Sequence, residues 1–139
     1  MTTAPSAPAR SGGRYRIGKR YSFAAGHHLP TLPEGHKCAR PHGHTYTVEV
    51  VLVSATLRGP GFVTDFADLQ PFGTYLDQEL DHNNLNDVFG FPPTCELLAE
   101  HLYGWLLTNV VPQVGGQLDA VRVSESPTSW AEFSGEPSS

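Results

Sequence analysis

The sequence predicts an α+β domain with the element order ββααββ. Three observations lead there. Two long runs, 14–27 and 42–57, alternate apolar and polar residues with period two, the mark of strands with one buried face. Two segments in the middle carry apolar residues at helical spacing, each preceded by a Thr or Asp suited to capping. Two short alternating runs, 118–125 and 128–133, close the chain on either side of a Ser126-Pro127 turn.

Residues 1–13 are mostly Ala, Pro, Ser and Gly and are expected to be a disordered tail. The ending SGEPSS, 134–139, reads as a second flexible tail, which leaves 14–133 as a single domain. In the first strand Tyr15, Ile17, Tyr21, Phe23 and Ala25 share one parity, with Lys19 the exception. Arg14, Arg16, Arg20 and Ser22 share the other. His27 continues the apolar parity and His28 opposes it; a bulge at Gly26 reverses that assignment. Pro30, Pro33, Gly35 and Pro41 punctuate a loop that carries His36, Lys37, Cys38 and Arg40.

The second strand places His42, His44, Tyr46, Val48, Val50 and Leu52 on one face, and Thr45, Thr47, Glu49, Val51 and Val53 on the other. Arg58-Gly59-Pro60-Gly61 is a turn. The first helix is capped by Thr64 or Asp65 and stripes Phe66, Leu69, Leu76 and Leu80. Pro71 removes a hydrogen bond there, so the helix kinks or starts later than its pattern suggests. Residues 81–87 read as a polar loop. Thr94 caps the second helix, whose buried side is Leu98, Leu102, Trp105 and Leu106. Glu96 suits its positive N-terminal dipole, and Pro112 and Gly115-Gly116 end it. Two helices cover only one face of four strands. The partly apolar second face, with Val51 and Val53, predicts an oligomer.

The net charge is −5 with no Lys/Arg cluster, which argues against nucleic acid as a partner. No run approaches a membrane span, and the N-terminus lacks the apolar region of a signal peptide. Two cysteines make no disulfide framework. A cytoplasmic enzyme is the expectation.

Five of the seven histidines lie between Phe23 and His44. On a strand, His42 and His44 project from the same face with only Gly43 between them. His27 from the neighbouring strand supplies a third imidazole. Three imidazoles with an open fourth position form the ligand set of a catalytic zinc site, whereas structural zinc usually takes cysteines. Cys38, beside Lys37 and Arg40, is either an activated thiolate serving as base or nucleophile, or an inert packed thiol. Asp81-His82 is either a carboxylate orienting an imidazole or an ordinary helix-exit turn. Glu125 shares parity with Val121 and Val123. It either points inward, where it can accept two parallel N–H bonds from an amino-pyrimidinone edge, or ends its strand in solvent.

Taken together, FAAGHHLP (23–30), EGHKCARPHGH (34–44), VTDF (63–66), LDHNNLND (80–87), PTCE (93–96) and VSES (123–126) resemble the 6-pyruvoyltetrahydropterin synthase family. The three residues between Cys38 and the His42-Gly43-His44 motif resemble its 6-carboxy-5,6,7,8-tetrahydropterin synthase (QueD) branch, since pyruvoyl-forming relatives typically have a longer gap. The resemblance implies the tunnelling fold, a four-stranded antiparallel sheet with two helices on one face. It also implies trimers or hexamers with active sites at subunit interfaces. It implies Zn2+ on His27, His42 and His44, Cys38 as catalytic base with Asp81 and His82 as relay, Glu125 as pterin anchor, and Thr94, Cys95 and Glu96 lining the pterin pocket. The implied reaction converts 7,8-dihydroneopterin triphosphate to 6-carboxy-5,6,7,8-tetrahydropterin, acetaldehyde and triphosphate, in 7-deazapurine (preQ0, queuosine) biosynthesis. The alternatives are the pyruvoyl-forming reaction, a dihydroneopterin side-chain aldolase, or a non-catalytic zinc- or pterin-binding module. His28 and Cys95 depart from residues common in relatives at those positions.

Overall fold

A computed structural model describes residues 7–8, 12–33 and 35–135. The expected tails fall mostly outside these residues. Ala7–Pro8 (β1) lie within them and pair antiparallel with Thr56–Leu57 (β4). The main strands are Tyr15–His27 (β2), His42–Ser54 (β3), Gln117–Ser126 (β6) and Ser129–Phe133 (β7). They form an antiparallel sheet in the order β2-β3-β6-β7. A two-residue strand, Asn83–Asn84 (β5), pairs parallel to β2 at Ala25 and Gly26, so the sheet has five strands and is mixed. That strand lies inside the segment expected to be a loop.

The parity rule holds along β2 and β3. Phe23, Ala25 and His27 are buried on one strand, and Tyr46, Val48, Val50 and Leu52 on the other. The register is unbroken from Tyr15 opposite Ser54 to His27 opposite His42, so Gly26 carries no bulge between these strands. Phe23 stacks on Tyr46 with centroids 5.0 Å apart.

The first helical segment is composite. Asp65 caps a 3₁₀ turn, Phe66–Leu69, by accepting the Ala67 N–H at 3.0 Å. The α-helix proper, Gln70–Tyr75 (α1), begins there with Pro71 in its first turn, where no intrahelical N–H is needed. A π-helical turn, Leu76–Leu80, ends the segment. Phe66 is 47% exposed, contrary to the expected stripe, because the 3₁₀ turn rotates it away from the sheet; Phe72 is fully buried in its place. A single helical turn, Leu85–Val88 (α2), plugs Leu85 into the core.

The long helix, Cys95–Asn109 (α3), starts at Thr94, whose hydroxyl accepts the Leu97 N–H at 3.2 Å. It buries Leu98, Leu102 and Leu106 against Val121 and Val123 of the sheet. Burying each such side chain stabilises the fold by about 1.5–3 kcal/mol. After α3, Gly116 turns at φ +78°, and a Cβ there would sit 2.9 Å from the Val53 carbonyl oxygen, so only glycine fits.

The second sheet face is less bare than expected. Val51 and Val53 are only 8% and 9% exposed. Arg16 on β2 reaches Asp119 on β6 at 2.8 Å, and this ion pair crosses β3 beside Val53. Arg20–Glu49 and Arg122–Glu132 continue a polar covering. The argument for an oligomer from these two valines is therefore corrected. Among the described residues, what stays open is the outer backbone edge of β7 and most of that of β2, together with Trp130 at 59% exposure. No helix among the described residues is long and apolar enough to cross a membrane.

Candidate active site

The β2–β3 register places His27 opposite His42, with His44 two residues further along the same face. Their ring centroids lie 4.5 to 5.0 Å apart, and one nitrogen from each falls within 4.8 Å of the others. Second contacts fix the ring orientations. His27 Nδ1–H donates to the Pro93 carbonyl at 2.8 Å, and His42 Nδ1–H donates to the Arg40 carbonyl at 2.7 Å. A carbonyl only accepts, so the lone pair of each of these rings is on Nε2. His27 Nε2 and His44 Nε2 are buried and have no hydrogen-bond partner. Burial is the main cause holding His44 below the usual imidazole range; Glu125 opposes it, while His27 and His42 add to it. Imidazoles whose nitrogens converge, two of them with backbone-held outer nitrogens, are the donor set a divalent metal takes. The residues fit zinc.

Tyr46 packs beneath this cluster, 5.9 Å from the His27 ring and 5.6 Å from the His44 ring. Burial foremost, then the charge of Glu125, push its phenol upward, so it stays neutral.

The π turn explains the position of Asp81. The Asp81 N–H reaches back five residues to the Leu76 carbonyl at 2.8 Å, and the helix ends there. The Asp81 carboxylate then accepts the Ala24 N–H and the His82 Nδ1–H, each at 2.8 Å. First the Ala24 N–H and then His82 hold this carboxyl below the usual range. His82 sits in the left-handed region at φ +61°, which folds its ring back onto the preceding side chain. The two adjacent residues can face each other only because of that turn. His82 is 83% exposed and borders a cleft of about 610 Å³ that also contains His27, His42 and His44.

A second cavity of about 260 Å³ lies beyond His27. Thr94, Cys95 and Glu96 line one side, and Glu125 with Ser129 and Trp130 lines the other. The fold thus joins two segments thirty residues apart in the sequence. Glu125 points inward as its parity predicts: its Oε2 is 3.7 Å from His27 Nε2 and 3.6 Å from His44 Nε2. Burial, then the charges of Glu125 and Glu96, push the Cys95 thiol up to about 12, so it remains a thiol.

Cys38 is placed differently. It lies half-buried in a 3₁₀ turn, Lys37–Ala39, and lines neither cavity. Its carbonyl accepts the Leu29 N–H at 2.7 Å, which closes the 29–41 loop. His36 caps that turn by accepting the Cys38 N–H through Nδ1. The His28 backbone is clamped by Asn86, which accepts its N–H and donates to its carbonyl. His28 and His36 therefore stand outside the metal cluster. Sequence reasoning missed Trp130 and Ser129 as lining groups and the carbonyls of Pro93 and Arg40 as ring holders. An aromatic on a terminal hairpin was a visible signal for the first; the carbonyls leave none.

Sheet, helices and histidine cluster define a class, a tunnelling-fold enzyme with a metal-competent site at one end of its sheet. A family model described as 6-pyruvoyl tetrahydropterin synthase matches residues 16–136. The chain is 37% identical over 123 residues to the 6-carboxy-5,6,7,8-tetrahydropterin synthase of Synechocystis sp., covering 84% of this chain and 91% of that one. It is 33% identical over 137 residues to the enzyme of the same name from Bacillus subtilis, covering 86% and 84%. The structure of Caenorhabditis elegans 6-pyruvoyl tetrahydropterin synthase superposes with a TM-score of 0.74 at 25% identity, over 98% of this chain and all of that one. The chain belongs to the 6-pyruvoyl tetrahydropterin synthase family, and it is an enzyme of the lyase type.

Proposed function

We propose that the protein is a zinc-dependent carbon–carbon lyase. It converts 7,8-dihydroneopterin triphosphate to 6-carboxy-5,6,7,8-tetrahydropterin, acetaldehyde and triphosphate, a step of 7-deazapurine (preQ0, queuosine) biosynthesis. One observation carries the reading: three imidazoles with converging lone pairs share a cleft with an exposed Asp81–His82 pair, next to a cavity that bears an inward carboxylate. The chain's similarity to 6-carboxy-forming relatives and the short Cys38–His42 spacing favour this product over the pyruvoyl-forming alternative.

His27, His42 and His44 hold zinc, which supplies Lewis acidity to side-chain oxygens of the substrate when bound. Glu125 accepts two N–H bonds from the amino-pyrimidinone edge of the pterin, and Thr94, Cys95 and Glu96 shape the pocket around the ring. Asp81 keeps the His82 proton on Nδ1, so Nε2 faces the cleft as an acceptor able to move a proton. Cys38 serves as the base that removes a side-chain proton. It stands outside the cleft of its own chain, and among the described residues the β7 edge and most of the β2 edge lack partners, so this role is met across a subunit boundary in a homo-oligomer, a trimer or hexamer. The protein works in the cytoplasm.

The test is product analysis by mass after incubating the zinc-loaded protein with 7,8-dihydroneopterin triphosphate. Acetaldehyde and the 6-carboxy product are expected. Triphosphate loss with all side-chain carbons retained supports the pyruvoyl-forming reaction instead, and pterin binding without turnover supports a binding module.

A further inference from the structure

We propose that Glu125 is an exchangeable fourth ligand of the metal, which closes the site until a pterin draws it away. This rests on the zinc and pterin reading above and adds a step to it. The deciding observation is a pair of distances. Glu125 Oε2 lies 3.7 Å from His27 Nε2 and 3.6 Å from His44 Nε2. Both exceed a hydrogen bond, and neither nitrogen has a hydrogen-bond partner. Two ligands at 2.0–2.1 Å from one tetrahedral zinc stand roughly 3.3 Å apart. The carboxylate oxygen is therefore spaced from these two nitrogens as a co-ligand rather than as an acceptor of their protons; it stands outside the three-imidazole cluster, and a rotation toward His42 brings it onto the shared ion.

The same carboxylate borders the pterin cavity together with Thr94, Cys95 and Glu96. It faces two competing partners: a cation on one side and the N–H edge of an incoming ring on the other. Side-chain rotation exchanges one for the other. A pterin that pairs with Glu125 uncovers the fourth metal position as it docks, so that position meets the substrate's oxygens rather than solvent. The protonated Cys95 thiol beside the carboxylate favours neither position by charge. The arrangement ties metal access to recognition of the ring.

The test uses the full-length protein loaded with cobalt(II), whose visible bands report ligand number. Pterin itself serves as the probe, because it has the amino-pyrimidinone edge but no side-chain oxygens to bind the metal. Pterin added to the wild type is expected to shift the bands toward those of Glu125→Gln. That variant is expected to hold zinc at least ~10-fold more weakly in chelator competition, the scale on which even indirect partners of a metal site act. Bands unchanged once equilibrium dialysis shows pterin bound overturn the proposal, using the wild type alone; pterin that does not bind overturns both the proposal and the pterin reading. So do bands and zinc affinity identical in Glu125→Gln and wild type, with the zinc and pterin reading intact. A wild type that takes up no cobalt overturns both. Bands that shift as expected in a protein giving a different product support the exchange and fail only the assigned reaction.

Discussion

His27→Ala separates the structural role of the central histidine from its metal role. His27 is 3% exposed, touches both other imidazoles and gives its Nδ1 proton to the Pro93 carbonyl. Without metal, the substitution leaves that carbonyl unpaired, at a cost of about 1–3 kcal/mol. With zinc, the wild type gains RT ln(1 + [Zn]/Kd), about 4 kcal/mol at a thousandfold excess over Kd, and two remaining histidines cannot match it. For a domain of this size about 4 kcal/mol corresponds to roughly 15 °C in midpoint. The assay is urea and thermal unfolding of wild type and variant, each with zinc and with chelator. A small gap between the proteins in chelator and a much larger gap in zinc is expected. Equal stabilisation of both by zinc refutes the ligand assignment. Equal destabilisation in both conditions shows that His27 acts only through packing and Pro93.

Three further outcomes are expected. Cys38→Ala abolishes turnover while one zinc per chain is retained, measured by product assay and metal analysis; normal turnover removes Cys38 as the base. Asp81→Asn lowers kcat by about 10²–10⁴, because the His82 tautomer is no longer set by a carboxylate. The same variant flattens the acid limb of the stability curve. Asp81 is depressed in the folded protein, so its contribution is present above the ordinary carboxylate range and is lost as pH falls through the folded value. Unfolding midpoints of wild type and variant across acid pH check this; parallel curves count against it.

The sequence by itself determined the strand pair and its faces. Period-two alternation has one buried solution, so Phe23, Ala25 and His27 had to share a face, and the same rule aligned His42 and His44 with Tyr46. It chose His27 over His28, and it left Glu125 open between the interior and solvent. Local chemistry likewise marked Thr94 as a cap and narrowed the first cap to Thr64 or Asp65; the oxygens of Asp65 and Thr94 bond the N–H groups two or three residues on.

Only the tertiary structure decided the rest. Helical periodicity does not announce a 3₁₀ start or a π end, so Phe66 was misplaced and Phe72 overlooked. That π turn brings Asp81 to the Ala24 N–H, a contact 57 residues apart in the chain that no local pattern encodes. Arg16 covers Val53 through a partner 103 residues away, which side-chain parity could not anticipate. The spacing of Glu125 from two imidazoles follows from the β3–β6 pairing and the end of a third strand. Periodicity reports which face a residue occupies. Distances between groups on different elements are set by packing, and the chemistry of this site depends on those distances.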